Sequence, residues 1–287
     1  MIHTGSNSQA KVVAVIPARY SSTRLPGKPL LEICGKPLIV WVAERARAAS
    51  TISRTIVATD DARIADAASA AGFDCVMTRA DHKTGTDRIA EVAHNLRTDI
   101  VVNVQGDEPL IDPATIDRVV APLLADPEAQ MATTFEAMED PADVMNPSVV
   151  KIAFDPNGYA TNFSRNPIPV PHQAVAKHGS IEAALRQEPA LLLTFKKHTG
   201  LYAYRRDFLL EFTRWPQSDR ERAESLEQLR ALDRGVKIRV VEAASPSIGV
   251  DTAEDLERVR AMVSEPPAVA GGQNENTVQA DGAVARP

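Results

Sequence analysis

Three cations stand close together in the stretch Ile16 to Leu30, IPARYSSTRLPGKPL: Arg19, Arg24 and Lys28. Two guanidinium forks and an ammonium, with small hydroxyl residues and a Pro-Gly between them, are the donors that hold phosphate oxygens. Gly27 permits close approach of the backbone. A triphosphate held there needs metal ligands opposite, and two acidic segments qualify. QGDEP (105–109) offers Asp107 and Glu108, and GVDT (249–252) offers Asp251. Mg²⁺ takes few carboxylates and completes its shell with water and phosphate oxygens, so two aspartates meet its demand. Read singly, each has a plainer use. Asp107 starts a turn into the Pro109 loop, and Asp251 is the N-cap of the last helix or sits just before a Thr252 cap.

The elements that would position these residues alternate. Strands are expected at 12–18, 55–60, 75–79, 100–107 and 131–138, with helical patterns at 36–49, 61–72, 86–96 and 113–125 between them. The run Ile100 to Val104 is apolar on both faces, as in a strand covered on both sides by helices. This β-α order predicts a doubly wound, mostly parallel, Rossmann-like α/β sheet. In such sheets ligands sit at the carboxyl ends of the strands, where the opening loop and QGDEP both fall. Neither GxGxxG nor GxxxxGK[ST] is present, so this is no dinucleotide fold or P-loop NTPase by signature.

After about residue 140 the rhythm changes. VVKIAFDP, YATNFSR and LLLTFKKHTGLYAYR read as sheet-like segments around the Pro-rich NPIPVPH, an antiparallel region (about 149–205) inserted into or appended to the core. A charged helix (220–234), a strand (237–244) and a last helix (253–262) follow. Residues 1–10 read as a polar tail and 264–287 as a disordered tail, leaving one domain over 11–263.

The chain has 287 residues, 44% of them hydrophobic, which is ample for a core. Its 32 Lys+Arg against 38 Asp+Glu give a net charge of -6, which argues against nucleic-acid binding but leaves room for one basic pocket. Cys34 and Cys75 read as reduced thiols, and no cysteine spacing suggests zinc. The opening MIHTGSNSQAK has no apolar core, so no secretory signal is expected, and no apolar run is long enough to span a membrane. A soluble cytoplasmic protein is expected.

Seven segments, IPARYSSTRLPGKPL, MTRADHKTGTDR, VNVQGDEP, the FSR of NFSRNPIP, HTGLYAYR, LEQLR and GVDTAEDLERVR, resemble in order the motifs of the 3-deoxy-manno-octulosonate cytidylyltransferases, also called CMP-KDO synthetases. The likeness runs from about Lys11 to Val263. It implies the nucleotide-diphospho-sugar transferase type of fold, and transfer of CMP from CTP to KDO with Mg²⁺ and release of pyrophosphate. It further implies a cytoplasmic homodimer joined through the antiparallel region, serving lipopolysaccharide synthesis.

The resemblance also assigns roles. Arg19, Ser22, Arg24 and Lys28 would cradle the triphosphate, with Arg19, Arg24, Lys28 and Asp107 carrying catalysis, and Asp107 and Asp251 would hold Mg²⁺. Arg79, Thr86 and the stretch Thr84 to Arg88 would face the nucleotide, and Gln105 base or sugar. Arg165 would take the sugar carboxylate, with His198, Tyr202, Glu227 and Gln228 around the sugar. Without the resemblance, His198 reads as a structural hydrogen bonder and Glu227 and Gln228 as a solvent-facing helix. Two departures stand out: Lys196 and Lys197 precede His198 where the family often has Arg, and the tail after Val263 has no counterpart. A cytidylyltransferase for sialic acid or an amino-substituted KDO is the alternative enzyme, and a silent nucleotide-binding protein the alternative class.

Overall fold

The computed structural model describes residues 10–21 and 25–264. Ser22, Arg24, the expected N-terminal tail but for Ala10, and the expected C-terminal tail beyond Ser264 lie outside the described residues.

In chain order the elements are β1 (Val12–Ala18), β2 (Glu32–Ile33), β3 (Lys36–Pro37), α1 (Leu38–Ala48), β4 (Arg54–Thr59), α2 (Ala62–Ala70), β5 (Asp74–Met77), α3 (Gly85–His94), β6 (Ile100–Asn103), α4 (Pro113–Ala125) and β7 (Met131–Ala137). They continue with α5 (Pro141–Met145), β8 (Lys151–Phe154), β9 (Ala160–Ser164), α6 (His172–His178), α7 (Ile181–Gln187), β10 (Lys196–Arg205), α8 (Arg206–Phe212), α9 (Asp219–Glu224), α10 (Leu229–Leu232), β11 (Ile238–Glu242) and α11 (Ala253–Ser264).

The main sheet runs β11-β7-β10-β6-β1-β4-β5. β1 is parallel to β4 and β6, β4 to β5, and β11 to β7, while β10 is antiparallel to both β6 and β7. All strands on this path except β10 therefore point one way and end on one edge. The pleat of β1 separates two cores: Val12, Ala14 and Ile16 face one, and Val13 and Val15 the other. The first is filled from α1, α2, α4 and α11, and the second from α3, α8 and α10. This double cover is why the central strands carry apolar residues at nearly every position.

Local signals set the helix starts. Asp61 caps α2, accepting from Arg63 N, and Asp112 caps α4 ahead of Pro113. Thr84 and Asp87 form a capping box that opens α3 toward the ligand edge of the sheet.

One open alternative is decided and two expectations are corrected. The antiparallel region is inserted and not appended: β10 lies inside the main sheet, and the β8–β9 hairpin hangs from it through Lys197 and Lys151. Alternation in a strand reveals its faces but not its neighbours. LLLT, read as strand, is part of a 3-10 turn over Pro189–Thr194, started by Pro189. The charged helix 220–234 breaks at Ser225, which takes the left-handed conformation (φ 52°), so that α9 and α10 are separate short helices. AESLEQL contains no Gly or Pro to announce that break.

Gly106 is where the loop after β6 meets the end of β1. A Cβ on Gly106 would stand 2.7 Å from the Pro17 carbonyl oxygen, a backbone atom that cannot rotate away. Gly106→Ala is therefore expected to cost about 1–3 kcal/mol of stability. Urea unfolding monitored by circular dichroism checks this, and an unchanged midpoint would contradict the contact.

Candidate active site

The carboxyl ends of β1 and β6 diverge around a cleft of about 360 Å³. Arg19 and Lys28 border it from the first loop, His82 to Gly85 and Arg88 from the β5–α3 connection, and Gln105 to Asp107 and Asp251 from the far side. The first loop is closed where Gly27 N donates to Tyr20 O at 3.1 Å, with Gly27 left-handed at φ 68°. Arg63 lies over the Tyr20 ring, 3.4 Å from its centroid, and holds the loop from the side of α2.

A 3-10 turn over Lys28–Leu30, with Pro29 buried, aims Lys28 inward. Its Nζ donates to Asp107 Oδ2 at 2.7 Å and to Asp251 Oδ1 at 3.1 Å, and the side chain is only 14% exposed. The two acidic loops are also joined by main chain, Val250 N donating to Asp107 O at 2.8 Å. Thr252, not Asp251, caps α11: its hydroxyl accepts from Asp255 N, while Asp255 Oδ2 accepts from Thr252 N. Asp251 is thus held just ahead of a helix start and faces Lys28.

Two hard carboxylates sharing a cation fit a Mg²⁺ that draws its other ligands from phosphate and water. Among the described residues no group of three or more His, Cys, Asp or Glu could hold a metal. Substrate oxygens would therefore have to complete the shell.

Behind Asp107, Glu108 is half-buried near Glu136, Lys197 and Ser247. Glu136 is tied to Lys197 at 3.2 Å and accepts from Ser247 N at 3.0 Å. Burial, reinforced by the Asp107 carboxylate, pushes the Glu108 carboxyl up to about 7.

A second, smaller hollow of about 200 Å³ adjoins the cleft, and Gly85 and Gln105 line both. Gln105 is held as a partition by its Nε2, which donates to Gly200 O at 2.8 Å. The remaining wall comes from α3, β6, β10, Phe212 of α8 and the turn that Ser225 creates before α10. That turn carries Glu227 and Gln228 inward instead of onto a solvent face. Glu227 accepts from Thr86 Oγ1 at 2.6 Å and from Arg230 at 3.2 Å. Burial raises its carboxyl above the usual range even so. Arg230 is anchored to the buried Glu221, with contacts at 2.8 and 2.7 Å. Tyr202 stands opposite Asn103 in the β6–β10 register, and burial keeps its phenol protonated well beyond the ordinary range.

The sequence candidates divide accordingly. Arg19, Lys28, Gln105, Asp107 and Asp251 come together in the cleft, and Tyr202, Glu227 and Gln228 in the smaller hollow. Thr86, expected at the nucleotide, is buried and turned to Glu227 on the other side of Gly85. Arg79 is 69% exposed, near Asp81 and Glu91, and does not line the cleft. Arg165, expected at the sugar carboxylate, spends its guanidinium on main chain, with Nε to Glu224 O at 2.7 Å and one terminal nitrogen to Pro147 O at 2.9 Å. It lines neither hollow. His198 lies off both linings, its Nε2 2.9 Å from Thr133 Oγ1 and its ring edge-on to Phe163. Burial pushes that imidazole down to about 3, which keeps it neutral. Ser22 and Arg24 lie outside the described residues.

Residues not singled out from the sequence also line these spaces. Lys83 and His82 border the cleft, and Asn103 the smaller hollow. Lys83 directly precedes the Thr84 capping box, a signal that places it at a helix entrance on the ligand edge.

A mixed, mostly parallel sheet with a cation-lined cleft at its carboxyl edge is the frame of a nucleotidyltransferase. A family model described as "Cytidylyltransferase" matches residues 13–238. The chain is 48% identical, over 89% of its length and 99% of the relative's, to a Trichlorobacter lovleyi protein named 3-deoxy-manno-octulosonate cytidylyltransferase. It is 51% identical to a Syntrophotalea carbinolica protein of the same name, over 87% of this chain and 97% of that one. The solved structure of a CMP:2-keto-3-deoxy-manno-octonic acid synthetase complexed with CTP matches with a TM-score of 0.79 and 44% identity, covering 88% of this chain and 98% of that one. The chain belongs to the 3-deoxy-manno-octulosonate cytidylyltransferase family.

The Glu108 environment carries a pH signature. An unfolded Glu titrates near about 4.3, so the folded state holds this proton more tightly and its contribution to stability is lost as pH rises from there through about 7. Without metal or nucleotide, the urea midpoint of the wild type relative to Glu108→Gln is expected to fall between pH 5 and pH 8. Parallel midpoints over that range would contradict it.

Proposed function

We propose that this chain transfers CMP from CTP to the anomeric hydroxyl of 3-deoxy-manno-octulosonate, releasing pyrophosphate and supplying activated sugar for lipopolysaccharide assembly. The observation that carries the reading is the pair of adjoining hollows, one lined by cations and two aspartates, the other by hydroxyl, amide and carboxyl groups, with Gly85 and Gln105 as common wall. The named relatives and the CTP-complexed neighbour support the same substrates.

In this reaction the sugar oxygen bonds to the α-phosphorus as the bond from that phosphorus to the pyrophosphate oxygen breaks. Such transfers depend on alignment and charge neutralisation. Arg19 and Lys28, with Lys83 and Arg88 across the cleft, supply positive charge to the phosphate oxygens. Asp107 and Asp251 are the residues that would hold Mg²⁺. Bound there, Mg²⁺ supplies neutralisation of the triphosphate and lowers the pKa of a hydroxyl it contacts. His82, the imidazole bordering the cleft, is engaged by Glu91, so it does not stand ready as a base. Gln105 separates nucleotide from sugar, and Glu227, Tyr202 and Gln228 offer partners to sugar hydroxyls. No Lys or Arg is among the described lining of the smaller hollow, so the sugar carboxylate is expected toward the Gln105 partition and the cations of the cleft beyond it.

The working form we propose is a cytoplasmic homodimer joined through the region 149–205. No helix among the described residues is long and apolar enough to cross a membrane. Sedimentation at twice the chain mass of 31.0 kDa is expected, and a 31.0 kDa species at micromolar concentration would contradict the dimer.

Pyrophosphate release with CTP and Mg²⁺ is expected with KDO and not with sialic acid or without sugar. Asp107→Asn should lower the rate by on the order of 100-fold or more at unchanged fold, since an amide neither neutralises Lys28 nor holds a divalent ion well. Release with sialic acid alone would keep the chemistry and move the substrate. An active Asp107→Asn enzyme would remove the metal role.

A further inference from the structure

β6 reads Ile100, Val101, Val102 and then Asn103, and all four are buried. An Asn at the end of a central strand has poor β propensity, and nothing in strand pairing requires it. Its place in the pleat gives the physical context. Ile100 and Val102 belong to one core and Val101 to the other, so Asn103 follows Val101 onto the face occupied by Tyr202 and Tyr204. Only 3% of Asn103 is exposed, yet its Oδ1 has no hydrogen-bond partner. Gln228, 6% exposed, leaves its Nε2 equally without a partner.

Both residues line the smaller hollow. Three other groups there already have partners within the protein: Thr86 Oγ1 with Glu227, Gln105 Nε2 with Gly200 O, and Glu227 with Arg230. Two orphaned polar atoms on one small cavity, one from a strand and one from a turn forced by a strained Ser225, are local rules broken at a shared place. A bound group that donates to one and accepts from the other removes both deficits. An alcohol does this, and a purely apolar ligand does not.

Accepting the sugar-transfer reading above, we infer that Asn103 is a specificity-determining residue which, with Gln228, reads hydroxyl groups of the acceptor sugar. Asn103 Oδ1 accepts from one sugar hydroxyl, and Gln228 Nε2 donates to a sugar hydroxyl oxygen. Deleting the matching hydroxyl would leave these atoms unpaired inside the complex, so the site rejects deoxy analogues more strongly than loss of one contact would suggest.

The test compares kcat/KM for the parent sugar and for a set of monodeoxy analogues, in the wild type, Asn103→Leu and Gln228→Met. The wild type should disfavour at least one analogue by roughly ten- to hundredfold. Asn103→Leu should lose activity on the parent by a similar factor, mainly through KM for the sugar. It should show little further loss on that one analogue, with CTP affinity by calorimetry unchanged. Gln228→Met should show the same coupling to a hydroxyl, which keeps the test decisive if Asn103→Leu fails to fold. Equal losses on the parent and every analogue in the folded variants would overturn the inference, as would undiminished kcat/KM. If the wild type turns over a different acidic sugar, the proposed substrate fails, and the same coupling is read on deoxy forms of that sugar.

Discussion

Lys28 Nζ, placed 2.7 Å from Asp107 and 3.1 Å from Asp251, is the contact on which the arrangement of the site depends. Three loops that follow β1, β6 and β11 meet there, from segments separated by 79 and 223 positions along the chain. Two carboxylates held this close repel each other in the half-buried setting of the cleft, and a shared cation makes their approach favourable. In the function proposed above, a divalent ion would take over the two carboxylates and leave Lys28 beside the phosphate oxygens.

The sheet makes this meeting possible. Because every strand on its main path but β10 runs one way, the loops after β1, β6 and β11 emerge on one edge. The exception is functional. A reversed β10 brings the middle of its own chain, and not a loop, to that edge: Gly200 holds Gln105, and Tyr202 faces Asn103. The pairing of β10 with β7 is irregular between Thr199 and Tyr202, at the place where the strand passes Gln105 and the smaller hollow. A hollow of about 200 Å³ thus lies beside a cleft of about 360 Å³ without a separate domain to form it.

The smaller hollow is supported by a polar network beneath it. Arg230, buried between Glu221 and Glu227, pins the turn that Ser225 initiates. Removing one partner of such a buried pair leaves an uncompensated charge, so the network ties the shape of the hollow to the fold around it. The same logic accounts for Arg165 and the fully buried Lys151. Their cationic heads are held by main-chain carbonyls near 146–149, 165 and 224, where they fasten the β8–β9 hairpin.

The sequence by itself determined the parallel β-α frame, the cation-bearing first loop and the two aspartates. The reason is that these depend on local terms: apolar runs buried on both faces, caps at Asp61, Thr84 and Asp112, and charge placed just after a strand. Element limits such as β1 and α4 agree with the expectation to the residue. What only the tertiary structure decided are the features set by distant partners. The insertion of β10 between β6 and β7 depends on pairing across the chain. The break at Ser225 depends on Arg230 reaching back to Glu221. Arg165 lines neither hollow, and carbonyls of Pro147 and Glu224 lie within its reach. Asn103 looked like one more residue of a buried strand until the pleat, the reversed neighbour and the hollow placed its amide among the walls of a site. Side-chain type limits what chemistry a residue can do, but which groups it meets is a property of the packed chain.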